Sequence, residues 1–108
     1  MYAGSMRDRV RIERPLVGKD EHGAPEVLGW PLVAEVWAEV WDHSGAEADR
    51  DGQRQERRRT IVCIRHRSGI DATMRIVHGT RQLQITGIAE RERRQKLELT
   101  CEDFNAAV

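Results

Sequence analysis

The side chains whose chemistry could define an activity are few and scattered. His22, His43, His66 and His78 stand singly, without the H-x-x-x-H spacing that sets two imidazoles on one metal. Cys63 and Cys101 occupy separate apolar segments with no C-x-x-C pair, so they read as two buried, reduced thiols. Ser44 and Ser68 each precede a glycine in a turn context, and neither sits in the G-x-S-x-G elbow of a nucleophilic hydrolase. The glycines are isolated, and no G-x-x-x-x-G-K-[ST] loop offers backbone amides to a phosphate. The reading is a non-enzymatic chain with no catalytic residues, metal site or cofactor.

What remains is charge. The 108 residues carry 18 basic and 18 acidic side chains, but the two signs are segregated. Positions 20–49 hold eight acids and no base, whereas 50–96 hold 13 bases against five acids. Folding can interleave these blocks within one molecule, or acidic and basic faces can meet between neighbouring copies and fix a head-to-tail register. The runs Arg57-Arg58-Arg59 and Arg91-x-Arg93-Arg94 could neutralise phosphates, which makes nucleic-acid binding the rival reading. Against it, the stretch 50–96 contains no Phe, Tyr or Trp on which a base could stack. The three tryptophans lie in the acidic block instead. Trp30 reads as core, while Trp37 and Trp41, beside Glu35 and Glu39, read as an interface strip.

The elements that position these groups are strands. Arg7–Arg14 alternates charge with Val10 and Ile12 and is closed by Pro15; turn residues fill 18–25, and Glu26–Trp30 is expected to return as its antiparallel partner. Val33–Trp41 fits either a helix face or a strand; its valine and tryptophan content favours a strand with Trp37, Trp41, Glu35 and Glu39 on one side and Val36, Ala38 and Val40 on the other. From Asp42 to Arg58 no core residue is available, so about 43–58 is expected to be one long polar loop with a functional purpose. Thr60–Arg67 reads as a central strand. Further strands follow at Met74–His78 and Arg81–Thr86, with a bend or bulge at Gly87, then a charged tip at Glu90–Gln95, a closing strand at Lys96–Cys101 and a fraying tail from Asp103. The fold class is all-β: one domain over 1–108, a small antiparallel β-barrel or sandwich of seven or eight strands. No apolar run approaches the ~20 residues of a membrane span, and the amino terminus lacks a signal-peptide pattern. The expectation is a cytosolic chain without a membrane partner.

The order of segments resembles the head-tail joining, or head closure, proteins of long-tailed phages. The likeness lies in Met6-Arg7-Asp8-Arg9-Val10-Arg11-Ile12-Glu13-Arg14-Pro15, Asp20-Glu21-His22-Gly23, Trp30, Val36-Trp37-Ala38-Glu39-Val40 and Ser44-Gly45-Ala46-Glu47. It continues through Arg59-Thr60, Ile64-Arg65-His66-Arg67, Ile70, Met74-Arg75-Ile76-Val77, Gly79, Leu83-Gln84-Ile85 and Leu97-Glu98-Leu99-Thr100-Cys101.

The resemblance implies a small β-barrel without enzymatic activity in the virion of a phage, prophage or gene transfer agent. It would be soluble in the host cytoplasm before assembly and would then self-associate as a cyclic ring between a portal-side adaptor and a tail terminator or tail protein. Double-stranded DNA would pass through that ring without specific binding, and the extended loop, His43–Arg58 here, would help retain packaged DNA. On this reading Glu35, Glu39, Glu47 and Asp49 are candidates to face the channel, where like-charge repulsion would keep DNA from sticking. Arg57, Arg58 and Arg59, with Trp37 and Trp41, are candidates for subunit or partner contacts. The alternative is a cytosolic nucleic-acid-binding β-barrel module.

Overall fold

Alternating apolar residues dictate the barrel strands, and the computed structural model, which describes residues 6–48 and 54–104, consists of strands, turns and irregular connections in that range. The strands are β1 (Asp8–Glu13), β2 (Leu16–Lys19), β3 (Pro25–Gly29), β4 (Leu32–Ala48), β5 (Arg54–Arg65), β6 (Arg75–His78), β7 (Arg81–Arg91) and β8 (Lys96–Asp103). Six of them close an antiparallel barrel in the order β1-β4-β5-β8-β7-β6, while β2 and β3 form a separate two-stranded sheet. Closure pairs every barrel strand on both sides over at least part of its length.

Alternation delivers one residue in two to the barrel interior. Val10, Ile12, Ala38, Val62, Ile64, Ile76, Leu83, Ile85, Leu97, Leu99 and Cys101 fill it, with Met74 at its margin. Val33, Val36 and Val40 pack against this core from β4. Each fully buried Ile or Leu contributes roughly 1.5–3 kcal/mol relative to exposure, so this interior is the main source of stability.

Val33–Trp41 is a strand, as its composition favours, and Gly87 adjoins a register shift between Ile85 and Gly87, the expected bulge. Two sequence expectations are corrected. The partner of β1 is β4, through pairs such as Val10↔Val36 and Ile12↔Ala34, and the returning segment 25–29 pairs with β2 instead. Pro15 and Pro31, unable to donate to a ladder, separate the barrel part of this long hairpin from its outer part.

The second correction concerns the polar stretch after Asp42. Rather than a loop over 43–58, β4 and β5 continue as paired strands from His43↔Arg59 to Ala48↔Arg54. Because β1 stops pairing with β4 at Ala38 and β8 stops pairing with β5 at Thr60, these six pairs form a ribbon with no third strand. At ~3.3 Å per residue it is roughly 20 Å long.

Candidate functional site

Strand alternation sorts β4 into two faces. Val36, Ala38 and Val40 turn to the core, and Glu35, Trp37, Glu39 and Trp41 share the opposite face of the strand. Trp37 is 55% exposed and Trp41 is also open to solvent. Arg9, the register partner of Trp37 on β1, sets its guanidinium 5.0 Å from the Trp37 ring centroid and its Nε 3.4 Å from Glu35 Oε1. The two tryptophans and two of the four acidic candidates therefore stand together on one outer strip.

The other sequence candidates lie elsewhere. Glu47 is at the register position opposite Gln55 on the projecting ribbon, and Arg57, Arg58 and Arg59 pair with Gly45, Ser44 and His43 near its base. Arg59 is exposed and engaged in an interaction of its own. Asp49 lies outside the described residues.

Beside Trp37 is a groove of about 270 Å³ lined by Arg9, Val36, Trp37, Arg65, His66 and Arg67. His66 Nε2 is 3.3 Å from Glu90 Oε1. Arg65 and Arg67, at the exposed end of β5 and just beyond it, meet no acidic side chain among the described residues. A basic groove with an indole on its wall suits a partner that is both acidic and apolar. The sequence hides it, because its residues come from β1, β4 and the end of β5.

The barrel mouth at the root of the ribbon holds a polar network that sequence reading missed. Asp42, Thr60, Arg81 and Asp103 occupy positions in phase with the inward-facing core residues of β4, β5, β7 and β8. Arg81 Nη1 donates to Asp42 Oδ1 at 3.1 Å, while Nη2 donates to Thr60 Oγ1 at 3.0 Å and to Asp103 Oδ1 at 3.3 Å. Thr60 Oγ1 in turn donates to Asp42 Oδ1 at 2.7 Å. One planar guanidinium thus ties β7 to three other strands. The available signal was an arginine two residues before Leu83, on the same phase as Leu83 and Ile85.

Trp30 is only partly buried and sits outside the main core, contrary to expectation. It meets Phe104 edge-on at 5.3 Å, and the Arg75 guanidinium lies 4.3 Å from its ring centroid. Glu13, nearly buried, holds Arg75 through a 2.9 Å contact to Nε. This cation–π stack anchors Phe104, at the start of the tail expected to fray, and Phe104 also donates its backbone N–H to the Gln82 carbonyl at 2.8 Å; residues 105–108 of that tail lie outside the described residues.

Cys63 and Cys101 are buried free thiols, and burial pushes the Cys101 thiol up to about 12. Among the described residues no cluster of His, Cys, Asp or Glu has metal-binding geometry. No described helix is long and apolar enough to cross a membrane.

Comparison with known proteins follows the fold. The chain is similar to protein SF1141 from Shigella flexneri 2a, whose solution structure superposes with a TM-score of 0.70 at 28% identity over 100% of both chains. It is also similar in fold to a chain in the virion of a native gene transfer agent particle, with a TM-score of 0.69 and 21% identity over 92% of this chain and 94% of that one. No curated protein matches. The family model for phage head completion proteins matches residues 1–103, and the chain belongs to that family.

Proposed function

We propose that this phage head completion protein is a head-tail connector subunit, assembling as a cyclic ring between a portal-side adaptor and a tail protein. Packaged DNA passes through the ring, which helps keep it in the head. The single observation that carries this reading is the family match over residues 1–103. The architecture is compatible with it: the closed barrel pairs most of its strand edges internally, which leaves side-chain faces and projecting hairpins for contacts between copies. The ribbon of β4 and β5 is such a projection, and a reach of roughly 20 Å suits contact with a neighbour or with a central channel. Glu35, Glu39, Glu47 and Asp49 remain candidates for a DNA-repelling surface, and Trp37, Trp41 and Arg57–Arg59 for contacts between subunits. Because Glu35 and Glu39 share a strip with Trp37 and Trp41, that strip turns either to the channel or to a neighbour.

The test is electron microscopy of particles made without this gene. Separate tails beside tailless or emptied heads are expected; fully tailed, DNA-filled particles would overturn the reading.

One observation favours the nucleic-acid alternative. The groove sets Trp37 beside Arg65 and Arg67, supplying the stacking surface that the basic segment itself lacks. That reading predicts DNA affinity falling steeply with salt; the connector predicts weak affinity and an assembly defect.

A further inference from the structure

Among the described residues, the largest concentration of exposed apolar side chains lies on the small sheet. Leu16, Val17, Val27 and Leu28 are all open to solvent, Val17 and Leu28 each at 59%. The two strands hydrogen-bond only to each other, so both of their outer edges are free. Such a cluster on a small protein marks a contact surface.

The hairpin is nonetheless well formed. Asp20 accepts hydrogen bonds from the backbone N–H of His22 at 2.8 Å and of Ala24 at 2.9 Å, and Gly23, at a φ of +83°, supplies the left-handed residue that the turn requires. Leu28 packs across the chain onto Gly18, where a Cβ would run into it. A preformed, partly apolar finger loses little entropy on docking.

Its charge identifies the partner. Residues 16–29 carry Asp20, Glu21 and Glu26 against Lys19. Asp20 is spent on the turn, and Glu21 has only the exposed His22 nearby at 3.6 Å. The groove of Arg9, Trp37, Arg65 and Arg67 offers the opposite: the guanidinium groups of Arg65 and Arg67, which meet no acidic side chain among the described residues, beside an exposed indole that Arg9 braces.

We propose that the β2–β3 hairpin of one copy docks in the Arg9–Trp37–Arg65–Arg67 groove of a second copy through the face that carries Leu16 and Leu28, its leucines on Trp37 and its Glu21 and Glu26 on Arg65 and Arg67. The donor and acceptor surfaces are different patches of one chain. The contact is therefore head-to-tail and repeats until it closes. This rests on the ring reading above and specifies its subunit contact.

The test places a photo-crosslinking amino acid at position 28 of the full-length chain in assembled particles, alongside charge reversals. The crosslink is expected to join two copies through a peptide containing Arg9, Trp37 or Arg65–Arg67. The R65E/R67E variant should reduce ring occupancy on heads about tenfold, and adding E21R/E26R should restore it, with thermal melts confirming that each variant folds. Crosslinks to another virion protein, undiminished occupancy in R65E/R67E, or folded reversals that fail to rescue each other would overturn the docking while rings persist. Wild-type particles bearing no cyclic array would overturn the ring reading, and the docking with it.

Discussion

At the residue scale, Arg81 does what no single strand can. Its guanidinium closes the polar mouth by reaching Asp42, Thr60 and Asp103. Replacing it with methionine keeps the aliphatic stem and removes the donors that Asp42, Thr60 and Asp103 share, leaving two carboxylates at the mouth without their cation, so Arg81→Met should destabilise the fold by about 2 kcal/mol. Arg81→Lys should recover little, because an ammonium cannot hold the planar fork. Urea melts of both variants measure this, and wild-type stability in Arg81→Met would show the network to be ornamental.

A second residue-scale expectation concerns pH. The Cys101 thiol is held neutral by burial up to about 12, against 9.0 for an exposed thiol. Between those values the unfolded chain has lost a proton that the folded chain keeps, so the thiol's contribution to stability falls as pH rises from 9 towards 12. Below 9 it contributes no slope. A Cys101→Ala variant should therefore show a shallower alkaline decline than wild type in thermal melts; parallel declines would refute the assignment. That both cysteines are buried was legible in the sequence, because Cys63 lies between Val62 and Ile64 and Cys101 continues the alternation of Leu97 and Leu99. The roles of Arg81 and Arg75 were not, because an arginine inside a strand looks the same whether it faces water or seals a mouth.

At the element scale, period-two alternation made the barrel strands readable, and composition settled Val33–Trp41 as a strand. Pairing was less readable. A turn-rich segment between two alternating runs suggests that its immediate flanks pair, yet prolines at 15 and 31 cut one long hairpin into an inner and an outer part, and β1 reached past β3 to β4. The ribbon failed as a sequence prediction for a different reason. His43–Ala48 and Arg54–Arg59 have no apolar alternation, and their pairing continues the register of buried strands below them through backbone hydrogen bonds. Since the sequence of these segments offers no alternating apolar side chains to a core, joining His43 to Arg59 through an Asn-Gly turn should leave the melting temperature within about 3 °C of wild type. The same excision in a phage should impair DNA retention. A large loss of stability would mean that the ribbon is part of the folding unit rather than an appendage, and normal retention would remove its proposed role.

At the scale of the whole molecule, the question is where the segregated charge goes. Part is neutralised internally, since Glu35 and Asp42 of the acidic block meet Arg9 and Arg81. Part is not: Glu21 and Glu26 on the outer hairpin, and Arg65 and Arg67 at the groove, find no strong partner among the described residues. The first alternative raised by the sequence thus holds in the barrel, and the charges left at its periphery are those that the proposed contact between copies would use. Charges left over at two separate patches attract copies to one another over about a Debye length, ~8 Å at physiological salt. Self-association in sedimentation velocity should accordingly weaken when salt is raised from 0.05 to about 0.5 M, while the barrel's melting point changes little because its core is apolar. Association that strengthens with salt would instead make the exposed Leu16, Val17, Val27 and Leu28 the dominant contact, and the arginine groove would then set orientation without supplying the attraction.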